Sequence, residues 1–155
     1  MPDSVFQQLS ALLERRNVPF EVLRHASVYT SQQAAAVRGT PLASGAKALV
    51  CKADMRMLMI VLPADRRLAS KRIRKAYELR SLRFATGEEV RQLTGLEPGA
   101  IPPIGSLFNL PTWCDQRLAE QSRINFNAGD HAISISMRYA DYVALEQPVL
   151  GDFAG

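Results

Sequence analysis

The sequence has few of the residues that build redox, zinc and membrane proteins. Its 155 residues include two cysteines, Cys51 and Cys114, which are far apart, and two histidines. Their spacing excludes the usual zinc sites, and both cysteines are expected to be free thiols. The longest apolar run, residues 57–63, has the length of a strand and is far short of the roughly 18 residues of a membrane span. No metal, cofactor or membrane partner is therefore expected.

Several other signals are missing. The N-terminus has no basic segment followed by an apolar one, so we expect no signal peptide and a cytoplasmic protein. The sequence contains no GxSxG, HExxH, CxxC, Walker or GxGxxG motif and no conspicuous carboxylate pair. His25 and His131 are each candidate general bases, but a lone histidine is more often structural. An enzyme with this sequence must depend on positioning, backbone dipoles and single side chains such as a lysine.

The composition is that of one folded domain with a local excess of positive charge. Apolar residues make up 47% and charged residues 22%, which excludes a mainly disordered chain. We expect residues 1–155 to form a single domain. Residues 66–83 contain eight basic side chains and one acid, a net charge of +7, whereas the whole chain has +4. Such a segment indicates a polyanionic partner, and the alternative is a solvated helix face.

The apolar spacing predicts a mixed α+β fold. Helices are predicted over residues 3–16, 31–37, 65–79, from Thr86 onward and over 139–146. Strands are predicted over residues 20–24, 46–53, 56–63, 124–127 and 132–137. Residues 96–105 are too rich in proline and glycine to be regular. The irregular order of helices and strands lacks the βαβ rhythm of a doubly wound fold.

Three segments are unusual for purely structural sequence. Lys47 lies in an apolar strand, where an unpaired ammonium is costly; the alternative is that it points outward. The loop 99–103 is rigid and presents backbone N–H groups, or else it is an ordinary proline-rich connection. The stretch 127–129 is small and polar between two strands, where a ligand can approach the backbone closely.

These segments together resemble the YbaK/prolyl-tRNA-editing domain family. The matching pieces are HASVYTSQQAAAVRG (25–39), GAKALVCK (45–52), PAD (63–65), EEVRQLTGLEPGAIPP (88–103) and FNAG (126–129). Each piece is weak by itself, but their order and spacing make a specific match from about His25 to Tyr142. The resemblance implies a central mixed β-sheet or barrel-like core surrounded by helices. It also implies hydrolysis of the ester that joins a wrong amino acid to the 3′-terminal adenosine of a tRNA, without a cofactor.

The resemblance also implies roles for individual residues. Lys47 matches the family's site lysine, and the backbone N–H groups of Gly99 and Ala100 face the aminoacyl carbonyl, so these three are the expected catalytic residues. The expected substrate-binding residues are Thr30, Gly45, Ala46, Ile101, Pro102, Pro103, Asn127, Ala128, Gly129 and Ser134. Basic residues at three- and four-residue spacing on the predicted helix 65–79 are expected to bind tRNA phosphates, namely Arg67, Lys71, Arg74 and Lys75.

Among the branches of the family, the sequence is most similar to free-standing editors that remove serine or threonine. Thr30 and Ser134 are expected to supply hydroxyl partners for such a cargo, with alanine on tRNA(Pro) as the nearest competitor. Ser134 stands where some branches carry an aspartate, and His131 lies near the histidine of others. An aminoacyl-tRNA synthetase is a further possible partner. Two alternatives stay open: a non-catalytic tRNA- or partner-binding module, and a hydrolase of other small acyl esters.

Overall fold

The computed structural model describes residues 3–155; residues 1 and 2 of the expected domain lie outside the described residues. The α-helices are Val5–Arg15 (α1), Ser31–Arg38 (α2), Ser70–Ala76 (α3), Gly87–Thr94 (α4) and Tyr139–Glu146 (α5). The strands are Phe20–Arg24 (β1), Ala46–Ala53 (β2), Arg56–Pro63 (β3), Leu82–Phe84 (β4), Thr112–Asp115 (β5), Arg123–Asp130 (β6), Ile133–Arg138 (β7) and Val149–Gly151 (β8). Short 3₁₀-helices cover Leu42–Ser44, Gly105–Phe108 and Gln116–Glu120. No helix within residues 3–155 is both long and apolar enough to cross a membrane.

The helices begin and end where the capping residues of the sequence predict. Ser4 caps α1 and Thr86 caps α4, each in a reciprocal capping box with the residue three positions later. The hydroxyl of Thr30 caps α2, which ends at Gly39 in the left-handed conformation. The helical elements predicted around these caps are confirmed.

The strands form two sheets, which are connected by an isolated β-bridge. The first sheet is antiparallel, in the order β1-β7-β6. The second is mixed, in the order β4-β2-β3-β5-β8, with antiparallel pairs around β2 and parallel pairs around β5. A bridge between Gly45 and Asn125 joins them. The α+β class is confirmed, and the expected central sheet is divided into these two parts.

The five-stranded sheet is buried on both faces, which explains the continuous apolar sequence of β3. Met59 and Val61 belong to the cluster that also packs against α1, α5 and the three-stranded sheet. Leu58, Ile60 and Leu62 belong to a second cluster on the opposite face, which includes Ile73 from α3. Successive side chains of a strand point to opposite faces, so a strand between two cores has no polar positions.

The predicted helix over 65–79 is too long, and this expectation is corrected. Residues before Ser70 are extended, because Leu68 forms a β-bridge with Ala154 and Arg67 exchanges backbone hydrogen bonds with Gly155. Arg67 therefore does not share a helical face with the basic residues of α3. The apolar spacing of this segment favours a helix, but its backbone pairs instead with the C-terminal residues, more than 80 positions away in the chain.

The sequence-based prediction also missed three short strands, β4, β5 and β8. They have three or four residues each and are defined by their neighbours in the sheet rather than by any pattern of their own. It also ended β6 too early: the strand continues to Asp130 through a bulge after Asn127, in which Gly129 has φ of 86°.

Candidate active site

A cavity of about 420 Å³ lies along the first half of β2. Its walls also come from one face of α2 along its whole length, the loop after α4 and the middle of β6. Many of the side chains that line it are small, including Ala34, Ala35, Gly45, Ala46, Ala48 and Ala85. Gly45 is required by its neighbours, because a Cβ there would lie 2.8 Å from the Cβ of Ala64. The cavity has the size of an ordinary small-molecule site.

Lys47 lines this cavity and has no carboxylate partner. Its half-buried ammonium donates a hydrogen bond of 2.7 Å to the backbone carbonyl of Arg66, and no ion pair forms with it among residues 3–155. Burial lowers the pKa of Lys47 from its ordinary value, the nearby Arg67 lowers it further, and Asp65 opposes them. A nearby anionic or carbonyl oxygen stabilises a half-buried ammonium more than it stabilises an ammonium surrounded by water.

The loop after α4 contributes backbone donors, but not the pair that was expected. Ala100 donates its N–H to the carbonyl of Glu97, which closes a turn with Pro98 and Gly99 at its centre. Gly99 has φ of 92°, as the third position of a type II turn requires. The Ala100 N–H is therefore engaged within the turn, and the Ala100 side chain is buried outside the cavity. Gly99 and Ile101 line the cavity, and their N–H groups make no hydrogen bond within the described chain.

The stretch 127–129 holds this loop in place. Asn127 lines the cavity, and its amide nitrogen donates to the carbonyl of Gly99 at 2.8 Å. Gly129 donates its N–H to the carbonyl of Ala100, and a Cβ at Gly129 would lie 3.0 Å from Val5 in α1. Ala128 is fully buried in the core. Ala128 and Gly129 lie outside the cavity wall, whereas Asn127 is part of it.

Four other expected substrate-binding residues lie outside the cavity or already make a hydrogen bond. Pro102 and Pro103 are buried outside the cavity, and the carbonyl of Pro103 accepts a hydrogen bond from the Tyr142 hydroxyl. Ser134 is buried and does not line the cavity. Thr30 does line it, but its hydroxyl oxygen accepts the hydrogen bond from the Gln33 N–H that caps α2.

Arg38 is a site residue that the sequence-based reasoning did not single out. It ends α2 and lines the cavity, and it donates from Nε to the Ser134 hydroxyl at 2.8 Å and from Nη2 to Asn127 Oδ1 at 2.9 Å. Ser134 is also 2.8 Å from Nε2 of His25. Burial lowers the pKa of Arg38 to about 10. In the sequence, Arg38 is marked only by its position directly before Gly39, the glycine that ends α2.

His131 and two aromatic side chains lie at the cavity mouth. Nδ1 of His131 is 3.1 Å from the carbonyl of Val28, and since a carbonyl only accepts, the neutral ring carries its hydrogen on Nδ1. Nε2 is then an acceptor. Tyr29 packs on the His131 ring at a centroid distance of 4.7 Å. Tyr29 and Phe84 both line the cavity although their side chains are largely exposed.

Exposed basic residues lie in two groups, one next to Lys47 and one on α3, which packs on the opposite face of the five-stranded sheet from the cavity. Arg66 and Arg67 are exposed in the segment that accepts the Lys47 hydrogen bond. Lys71 and Lys75 are exposed on α3, and Arg74 is half-buried beside them. No carboxylate pairs with these five side chains among residues 3–155. The cavity thus combines a half-buried lysine with free backbone N–H groups, and Arg66 and Arg67 are exposed beside it.

The family comparison agrees with this class of site. Residues 25–145 match the aminoacyl-tRNA editing domain, so the chain belongs to this family of aminoacyl-tRNA deacylases. Over 154 residues it is 36% identical to the multifunctional Ser/Thr-tRNA deacylase ProXp-y of Escherichia coli K12, covering 95% of this chain and 91% of that protein.

Two further comparisons extend this result. The chain is 29% identical over 132 residues to the proline–tRNA ligase of Solidesulfovibrio magneticus, which covers 80% of this chain and 23% of the ligase. A crystal structure described as that of a candidate trans-editing enzyme for prolyl-tRNA synthetase superposes with a TM-score of 0.84. The superposition covers 100% of this chain and 99% of the chain in that crystal structure, and the two sequences are 24% identical. This last likeness shows the shared fold.

Proposed function

We propose that this chain is a free-standing, trans-editing deacylase that hydrolyses mischarged tRNA and prefers seryl and threonyl esters. The observation that carries the proposal is the cavity in which Lys47 and the Gly99 N–H lie together beside a cationic surface. The cargo preference is supported by the near full-length similarity to a protein named as a Ser/Thr-tRNA deacylase. The small side chains of the cavity wall favour a small aminoacyl group.

The chemistry needs no strong nucleophile, because an aminoacyl ester is an activated acyl group. Water attacks the carbonyl carbon, the bond from that carbon to the 3′-oxygen of the adenosine breaks, and the 3′-oxygen takes up a proton. The Gly99 and Ile101 N–H groups are the available donors for the oxyanion, and one such donor contributes about 3–4 kcal/mol in other acyl-transfer sites. Lys47 adds positive charge near the same carbonyl, and Nε2 of His131 is an acceptor for a proton of the attacking water.

The surface around the mouth suits the single-stranded 3′ end of a tRNA. Unpaired bases stack on exposed aromatic rings, and Tyr29 and Phe84 present such rings at the cavity. In this proposal Arg66, Arg67 and the basic residues of α3 contact phosphates, which adds affinity without reading sequence.

The test is a deacylation assay of the purified protein with tRNAs charged with serine, threonine, alanine, cysteine or proline. We expect the fastest hydrolysis with serine and threonine. Fastest hydrolysis of the alanyl or cysteinyl ester would refute the preference and leave the deacylase class intact. A non-catalytic binding module would bind the charged tRNAs and hydrolyse none of them. Hydrolysis of simple acyl esters at the same rate would favour a more general esterase.

A further inference from the structure

Arg38 is a largely buried charge without a counter-charge. Burial lowers its pKa to about 10, and no carboxylate lies within ion-pair distance of it in residues 3–155. Other arginines of the chain do pair with carboxylates, namely Arg72, Arg83, Arg91, Arg117 and Arg123. Keeping an unpaired guanidinium in a cavity wall is costly, so a role in the site accounts for it better than packing does.

Two of its three nitrogens are used and one remains available. Nε and Nη2 donate to Ser134 and Asn127, whereas Nη1 makes no hydrogen bond within the described chain. Nη1 is not sealed from solvent, and it lies beside the cavity wall, since a Cβ added to Gly45 would be 3.9 Å from it. A guanidinium has donors and no acceptor. The group that Nη1 can bind in the cavity is therefore an oxygen acceptor, and a substrate ammonium is excluded.

The Ser134 hydroxyl beside Arg38 is committed elsewhere. Nδ1 of His25 is 2.8 Å from the carbonyl of Ala26, so the neutral ring carries its hydrogen there and Nε2 accepts from Ser134. Ser134 thus gives its single hydrogen to His25 and accepts from Arg38. Ser134 lies outside the cavity and has no hydrogen left for a cargo hydroxyl. The Thr30 oxygen accepts the N–H that caps α2, so Thr30 keeps one O–H donor beside Arg38 in the cavity wall.

We infer that Arg38 determines the amino-acid specificity of this site: Nη1 donates a hydrogen bond to the side-chain hydroxyl oxygen of a seryl or threonyl group. Nε and Nη2 hold the guanidinium in position through Ser134 and Asn127. This inference rests on the proposed deacylase function. An alanyl group leaves Nη1 unpaired once water has been displaced, and a site built to hydrogen-bond a hydroxyl rejects the analogue that lacks it.

The test compares the selectivity of the parental protein with that of Arg38→Met, a variant of similar length without donors. The measured quantity is the ratio of kcat/KM for seryl-tRNA to kcat/KM for alanyl-tRNA on the same tRNA. We expect this ratio to fall at least about tenfold, mainly through loss of the seryl reaction. Arg15→Met on the exposed face of α1 is the matched control and should leave the ratio unchanged.

A structural role alone would lower both reactions together and leave the ratio as it was. Equal losses with both substrates, or an unchanged ratio, would therefore overturn the assignment. If Arg38→Met does not fold by circular dichroism, Arg38→Lys serves instead, because it keeps the charge but loses the fork of three nitrogens; its ratio should also fall. If the parental protein hydrolyses none of the charged tRNAs, the proposed function itself has failed.

Discussion

The ammonium of Lys47 and the backbone carbonyl of Arg66 are joined by a hydrogen bond of 2.7 Å. This contact ties a cavity residue of β2 to the first residue of the basic segment 66–83. The segment is itself held by the C-terminal residues, since Arg67 pairs with Gly155 and Leu68 with Ala154. The hydrogen bond therefore connects the cavity wall to the start of the basic segment and, through that segment, to the C-terminal residues.

Replacing Lys47 by alanine should remove most deacylase activity while the protein stays folded. Its ammonium lies in the cavity without a carboxylate, so its removal takes away charge beside the ester carbonyl, and we expect a loss of about 100-fold in kcat/KM. Lys52→Ala on the same strand is the matched control, because Lys52 does not line the cavity. Near-normal turnover by a folded Lys47→Ala protein would exclude this role.

Replacing Gly99 by alanine should block catalysis beyond its effect on stability, and valine should do so more strongly. A Cβ at Gly99 faces Cε1 of His131 at 3.4 Å, and the φ of 92° strains any other residue. Gly95→Ala is a matched control with φ of 74° and nothing within 4 Å of its Cβ. Both alanine variants should lose about 1–2 kcal/mol in the free energy of unfolding, measured by urea denaturation. Parental rates for the folded Gly99 variants would show that the loop is only a connection.

Replacing Lys71, Arg74 and Lys75 together by alanine should weaken tRNA binding at low salt. Each lost phosphate contact removes counterion release, so the slope of log affinity against log salt should flatten by about two to three units. Hydrolysis of a minimal aminoacyl-adenosine should change little. The control replaces Arg15 and Arg16 by alanine. These two residues lie at the C-terminal end of α1, which packs against β6 of the three-stranded sheet. Unchanged affinity and slope in the triple variant would identify the α3 residues as a solvated face.

The ion pair between Arg83 and Glu89 should make the fold sensitive to acid. The Arg83 hydrogen bond, with that from the Thr86 N–H, lowers the pKa of Glu89 from 4.5 to about 2. The unfolded state therefore binds more protons in this window, so the contribution of Glu89 to stability is complete above about pH 4.5 and is lost as the pH falls towards about 2. Glu89→Gln should flatten the dependence of the melting temperature on pH there. Glu88→Gln, in the same helical turn, should not; equal slopes in both variants would contradict the assignment.

Local features of this fold were already determined by the sequence. The capping boxes at Ser4 and Thr86 and the left-handed Gly39 act within a few residues, so their helices could be predicted from the chain alone. The β2–β3 hairpin follows from two adjacent strand patterns in the same way. The charge of Lys47 in an apolar strand and the proline-rich loop of Gly99 are anomalies visible in sequence, but the family resemblance was needed to predict roles for both residues.

Only the tertiary structure decided the rest, and the reason is the distance in the chain between interacting groups. The Arg38 guanidinium meets Asn127 and Ser134 across 89 and 96 positions, and no local pattern marks such a network. The same holds for the short strands β5 and β8, and for residues 67–69, which pair with the C-terminal segment instead of extending α3. In each case a long-range hydrogen bond or bridge fixes a conformation towards which the local sequence has little preference, or even the opposite one.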